Sequence, residues 1–185
     1  MKKLLSSKWL WPTVVALCAA ILVHLLVVPL LLDHDGLRAG LGKALGELTE
    51  EYTPEQAAAD DCLVVNCDNI TAGSARWNWF RFKTALRIPA AIRICEFFSS
   101  GEQSFIDLTY TGREFAMHYP GRPATYARYL KFKKAGETRN RLFDEYDKYY
   151  LTTTADASWD DVVSSWLSSK GPEFCKAYCL FWVEP

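Results

Sequence analysis

One apolar run dominates the hydropathy pattern of this chain. From Trp9 to Leu32 only Pro12, Thr13, His24 and Pro29 interrupt it. As a helix rising ~1.5 Å per residue it would be about 36 Å long. That is enough for a ~30 Å hydrocarbon core with some tilt. Trp9 and Trp11 suit an interfacial aromatic belt, Lys2, Lys3 and Lys8 precede the run, and Asp33 and Asp35 follow it. Lysine-rich flanks stay cytoplasmic. The pattern therefore predicts a single-pass anchor with its N-terminus in the cytoplasm and its C-terminus outside. The run is too long for a signal peptide and lacks a small-residue cleavage site. Leu17 before Cys18 does not suit lipid attachment. His24 reads either as a functional intramembrane group or as a hydrogen-bonding contact to a neighbouring subunit.

Beyond the run, Leu37, Leu41, Leu45 and Leu48 recur at helical spacing and predict a helix over 36–51. The glycines among them suit close helix packing or a loosely ordered stalk. Thr53-Pro54-Glu55 reads as an N-cap with proline at the first helical position, opening a short helix to Ala59. Cys62 to Cys67 is short and β-branched, which predicts a strand or turn, and 68–74 reads as a loop.

Residues 76–98 interleave aromatics and bases, with Pro89 breaking or kinking any helix. On a helical wheel Arg76, Lys83 and Arg87 fall together, and Trp79, Phe82 and Leu86 share another flank. Such a segment suits a membrane interface or a partner helix. It also suits two helices of a compact domain with their bases reaching solvent. Ser104 to Thr111 alternates and predicts a strand, with 113–119 pairing to it through Gly112. Residues 124–150 read as helical with a weak point at Gly136. Residues 158–169 carry Trp159, Val162, Val163, Trp166 and Leu167 on one face behind a Ser158–Asp161 capping box. A last short element runs from Cys175 to Trp182.

The expected fold class is mainly α (α+β): one transmembrane helix, then a compact helical extracytoplasmic domain with a small β-hairpin. The expected divisions are 1–8 as cytoplasmic tail, 9–32 as anchor, 33–61 as juxtamembrane stalk and 62–185 as outer domain. The expected location is the bacterial inner membrane. A type II membrane protein of a eukaryotic secretory pathway is the alternative, and only there would the Asn69-Ile70-Thr71 sequon matter.

Composition narrows the function. The 185 residues are 23% charged and 14% aromatic, with net charge −1, which is a globular rather than a disordered composition. Setting aside the three N-terminal lysines, acids outnumber bases, which argues against a nucleic-acid partner. An oxidising compartment would favour disulfides drawn from Cys62, Cys67, Cys175 and Cys179. Bridges within each pair and bridges between the pairs are both open. The C-x4-C and C-x3-C spacings do not match common zinc sites.

The chain shows no phosphate loop, no G-x-G-x-x-G and no H-E-x-x-H. His118 has no nucleophile motif beside it and reads as structural. Asp33-His34-Asp35 abuts the expected membrane. Carboxylate pairs such as Glu96 and Glu102, or Asp160 and Asp161, are ordinary in a chain of this size. No catalytic, cofactor-binding or metal-ligating set emerges. The expected function is that of a bitopic subunit or assembly factor of an envelope complex, acting through contacts with the lipid bilayer and with other protein subunits. Arg76, Trp77, Trp79, Phe82, Lys83 and Arg87 are its interface candidates. A tethered periplasmic enzyme centred on His118, or a ligand-binding sensor domain, is the alternative.

Overall fold

The computed structural model describes residues 11–19, 33–48, 51–137, 144–168 and 175–185. After a helix over 11–19 (α1), the chain forms α2 (His34–Ala39), a 3-10 turn (Leu45–Glu47) and α3 (Pro54–Ala59). Then come β1 (Leu63–Asn66), β2 (Asn69–Ala72), α4 (Ser74–Ala85), β3 (Ala90–Phe97), β4 (Gln103–Tyr110), β5 (Phe115–His118) and β6 (Thr125–Ala127). The chain closes with β7 (Tyr129–Lys133), β8 (Asp147–Thr152), α5 (Trp159–Leu167) and β9 (Ala177–Val183).

The strands form two sheets. The first has the order β2-β1-β3-β4-β5-β6 and the second β7-β8-β9. β1 and β3 are parallel, with β2 and α4 between them in sequence, and the remaining pairs are antiparallel.

Strand alternation sorts the core into layers. On one face of the large sheet Leu63, Val65, Ile92, Ile94, Ile106, Leu108, Phe115 and Met117 pack against Trp77 and Phe80 of α4 and Leu151, Leu180 and Phe181 of the small sheet. On the other face Cys62, Val64, Cys95, Phe97 and Phe105 pack under Leu45, Tyr52 and Ala57. The outer face of the small sheet buries Tyr150 and Ala177 against Val162 of α5, with Trp159 and Trp166 beside them. Gly73 makes the junction of α4 and β1 possible. It sits at φ 76°, and an added Cβ would lie 2.2 Å from the Cys62 carbonyl oxygen.

This architecture corrects the expected mainly helical fold. The domain is α+β, with nine strands in two sheets among the described residues. Two segments account for the difference. Residues 90–97 form a strand because β-branched Ile92 and Ile94 alternate with Arg93 and Cys95 behind the break at Pro89. Within 124–150, aromatic and aliphatic residues alternate with lysine from Tyr129 to Lys133, and the segment supplies β6, β7 and β8. Leu142 and Phe143, expected on a helix face there, lie outside the described residues. The helix expected over 36–51 stops at Ala39, and Gly42 at φ 82° is one reason it does not resume. Residues 69–72 form a strand rather than a loop. The short helix from Pro54, the strand at 63–66, the hairpin of β4 and β5, and the Ser158–Asp161 capping box are all present.

The membrane anchor is corrected as well. Among the described residues no helix is long and apolar enough to cross a membrane. Apart from 11–19, the expected span, including His24 and Pro29, lies outside the described residues. A single-pass protein of the bacterial inner membrane, or a type II membrane protein, is therefore not supported.

The disulfides are a third correction, since all six cysteines are free. Cys62 and Cys67 bracket β1, and at ~3.3 Å per residue their Cα atoms fall on the order of 16 Å apart. Cα atoms more than ~7 Å apart cannot be bridged. The extended chain at β9 separates Cys175 from Cys179 in the same way.

Candidate functional site

α4 divides the expected interface residues by helical spacing. Trp77 points inward, 1% exposed, stacked on Phe80 at 5.7 Å and edge-on to Tyr149 and Phe181 at 5.2 Å each. It is a core residue. Trp79, Phe82 and Leu86, at i, i+3 and i+7, point outward and are 56%, 52% and 55% exposed. Trp79 and Phe82 stack at 5.4 Å, and the Lys83 ammonium lies 5.6 Å from the Trp79 ring. Arg76 pairs with Asp61 at 2.9 Å. Arg87 follows the helix in the left-handed region at φ 59° and is exposed. The structure thus gathers Trp79, Phe82 and Lys83 on one surface, sets Arg76 and Arg87 at its two ends, and removes Trp77 from it.

Beside this surface a cleft of about 900 Å³ opens between α4, the β4–β5 turn and β7. Phe82 and Arg87 belong to its wall, joined by Arg81, Arg113, Arg128 and Lys131. Among the described residues no Asp or Glu lines it. Arg81 is committed to Tyr149, its guanidinium 5.3 Å from the ring and 3.4 Å from the hydroxyl. Lys131 donates to the Ala155 carbonyl at 2.8 Å. Arg87, Arg113 and Arg128 form no ion pair among the described residues. Gly112 closes the cleft floor against Arg87. It sits at φ 89°, and an added Cβ would lie 2.9 Å from the Arg87 carbonyl oxygen.

A second constellation is buried on the opposite face of the large sheet. Arg93, Asp107 and His118 are successive cross-strand neighbours on β3, β4 and β5. Arg93 donates to both carboxylate oxygens of Asp107, and Arg38 of α2 approaches the same carboxylate at 3.7 Å. His34, also from α2, hydrogen-bonds the Thr109 hydroxyl at 2.7 Å and lies 3.8 Å from Glu114. Its ring is 6.3 Å from that of His118. Burial holds both imidazoles below the usual histidine range, and Arg38 adds to the effect on His118.

A histidine against a hydroxyl is the pairing a nucleophile needs. Thr109, however, is fully buried, and a substrate would reach it only by lifting α2. The cluster therefore reads as a polar layer that docks α2 on the sheet. Among the described residues no group of three or more His, Cys, Asp or Glu side chains is arranged to hold a metal.

A further perturbed group is Glu96, whose carboxyl burial pushes up to about 7, with Asp68 adding to the shift. It faces Ser104, Tyr119 and Cys179 at the end of the sheet.

Sequence reasoning did not find Arg128, Tyr129 or Phe132 as neighbours of α4, because 124–150 read as helix, and the hairpin expected at Gly112 did not by itself place Arg113 beside α4. The alternation from Tyr129 to Lys133 was the available signal. The chain matches no family model, no curated protein and no solved structure.

Proposed function

We propose that this chain is a protein-interaction subunit that holds a partner protein on the outer face of α4 and the adjoining cleft. The observation that carries the reading is the apolar strip Trp79–Phe82–Leu86. Three large apolar side chains in helical register stand more than half exposed on a well-packed domain. A contiguous exposed apolar patch rimmed by charge marks an interaction site. Aromatic and arginine side chains are the usual anchors of such contacts. Asp61 lies at the Arg76 end of this surface, but Arg87, Arg113 and Arg128 of the cleft give that side a positive charge in a chain of net charge −1, which favours an acidic partner.

The test is purification of the full chain from its native source with its bound proteins, alongside a Trp79→Ala/Phe82→Ala variant. The expected result is a defined stoichiometric complex that the variant loses while keeping its melting temperature. A complex that survives the double substitution would overturn the reading.

A further inference from the structure

The cleft beside α4 is bounded by the free edge of a β-sheet. Among the described residues β7 is an edge strand, hydrogen-bonded to β8 on one side only. Five consecutive residues, from Arg128 to Phe132, line the cleft. Side chains alternate across a strand, so a cavity that touches all five meets the strand along its edge rather than on one face. Alternate N–H and C=O groups of β7 face away from β8. Among the described residues no other backbone group takes them up.

Natural sheets blunt such edges with outward lysines. The lysines of β7 do not do this. Lys131 is turned to the Ala155 carbonyl, and Lys133 is buried on Asp144 at 3.2 Å. What faces the edge from across the cleft is Phe82 and the uncommitted cations Arg87 and Arg113, with Arg128 at the strand's start.

We infer that the free edge of β7 receives an extended, acidic segment of the partner protein as an added strand. The inference rests on the reading of the α4 surface as the contact site and names what the partner supplies there. Main-chain hydrogen bonds to an open edge provide affinity, and alternate side chains provide specificity. β7 spans about 17 Å, which accommodates roughly five residues of an incoming strand. One face of that strand meets Phe82 and Phe132, the latter 44% exposed and 4.8 Å from Tyr149. Its carboxylates meet the three arginines, which form no ion pair with an acid among the described residues. Single-stranded nucleic acid also uses cations and aromatics, but it has no use for a row of unpaired backbone amides.

The experiment is selection of a random-peptide display library on the full chain. The strongest selected peptide is then synthesised in three forms: unmodified, and N-methylated at either alternate set of amides. Each is titrated against the wild type, an Arg113→Glu/Arg128→Glu variant and a Trp79→Ala/Phe82→Ala variant. Both arginines are exposed and outside any ion pair among the described residues, so the charge variant keeps the wild-type melting temperature. The expected peptides are acidic with alternating apolar residues. Methylating one alternate set weakens binding at least about tenfold and methylating the other does not, because only one set faces β7. Charge reversal also weakens binding at least about tenfold, or ~1.4 kcal/mol.

Several results would overturn the inference. These are selected peptides that are basic or uncharged, equal tolerance of both methylation patterns, and oligothymidylate displacing the peptide with higher affinity. Peptides that ignore methylation but are lost with Trp79 and Phe82 would sink the added strand and leave the α4 contact standing. Peptides indifferent to all the variants would sink both.

Discussion

Arg93 and Asp107 form a fork between neighbouring strands, with guanidinium-to-carboxylate distances of 2.6 and 3.0 Å and both side chains almost wholly buried. Register makes the pair, since the two residues are direct cross-strand partners on the face covered by α2. Removing one member leaves the other as an uncompensated buried charge. Asp107→Asn is expected to destabilise the fold by ~3–5 kcal/mol, and an Arg93→Met/Asp107→Leu double replacement should recover most of that. Urea unfolding of the three proteins checks it. A double variant as unstable as the single one would show that the pair does more than neutralise itself.

Trp77 and Trp79 are two residues apart and should behave oppositely. Trp77→Ala opens a cavity beneath Tyr149 and Phe181 and is expected to lower stability by ~3–5 kcal/mol. Trp79→Ala removes an exposed ring and should change stability by no more than ~0.5 kcal/mol. Thermal melting of each variant, followed by a partner-binding assay on Trp79→Ala, separates core from contact surface.

Glu96 should make the domain lose stability toward alkaline pH. Its folded value of about 7 lies above the ordinary 4.5. The folded state therefore binds a proton that the unfolded chain has released in that interval. The contribution is complete below pH 4.5 and is lost as pH rises through about 7. At ~1.36 kcal/mol per pKa unit, the effect is on the order of 3 kcal/mol. Glu96→Gln should flatten the dependence and be more stable than the wild type at pH 8. The readout is the difference in unfolding free energy between the two proteins from pH 4 to pH 9.

His34 and His118 act in the opposite sense. Burial depresses both, so the unfolded chain binds protons that the folded one refuses. Their contribution is full above the ordinary 6.5 and disappears as pH falls through the depressed folded values. Acidification should loosen α2, which reaches the sheet through His34 and Arg38. The protection of amides 34–39, measured relative to their intrinsic exchange rates, should fall below pH 6.5. A His34→Gln/His118→Gln variant whose α2 protection still follows pH in the same way would rule the histidines out as the cause.

The thiols should react by position. Cys18 and Cys67 are exposed, whereas Cys62, Cys95 and Cys175 are buried. Burial also pushes the Cys179 thiol up to about 12, which suppresses its thiolate. Brief alkylation of the native protein is expected to label Cys18 and Cys67 first, and denaturation without reductant should expose all six. Mass spectrometry of the labelled peptides decides it, and a pair that resists labelling after denaturation would reveal a disulfide.

Local signals in the sequence specified local structure. Thr53 with Pro54, and Ser158 with Asp161, start helices where backbone amides need an acceptor, and they do so whatever packs nearby. The alternation from Phe105 to Tyr110 specifies a strand with one face for each layer of core. The helical spacing of Trp79, Phe82 and Leu86 is enough to place them on one flank of α4. These features depend on neighbours within about one turn or one pleat, and a sequence displays such neighbours directly.

Tertiary structure decided the rest. The alternation from Tyr129 to Lys133 is too short to outweigh the other aromatics of 124–150, which also fit a helical period, and pairing with Asp147 to Thr152 made both segments strands. Which aromatic of α4 became core followed from where the small sheet lay. The partnership of Arg93 with Asp107 follows from strand register, which no spacing along the chain encodes. The cleft is assembled from α4, the β4–β5 turn and an edge strand more than forty residues away in sequence. The physical reason is common to all four. Burial and strand pairing act between segments that meet only after the chain has folded, and those long-range contacts override weak local preference.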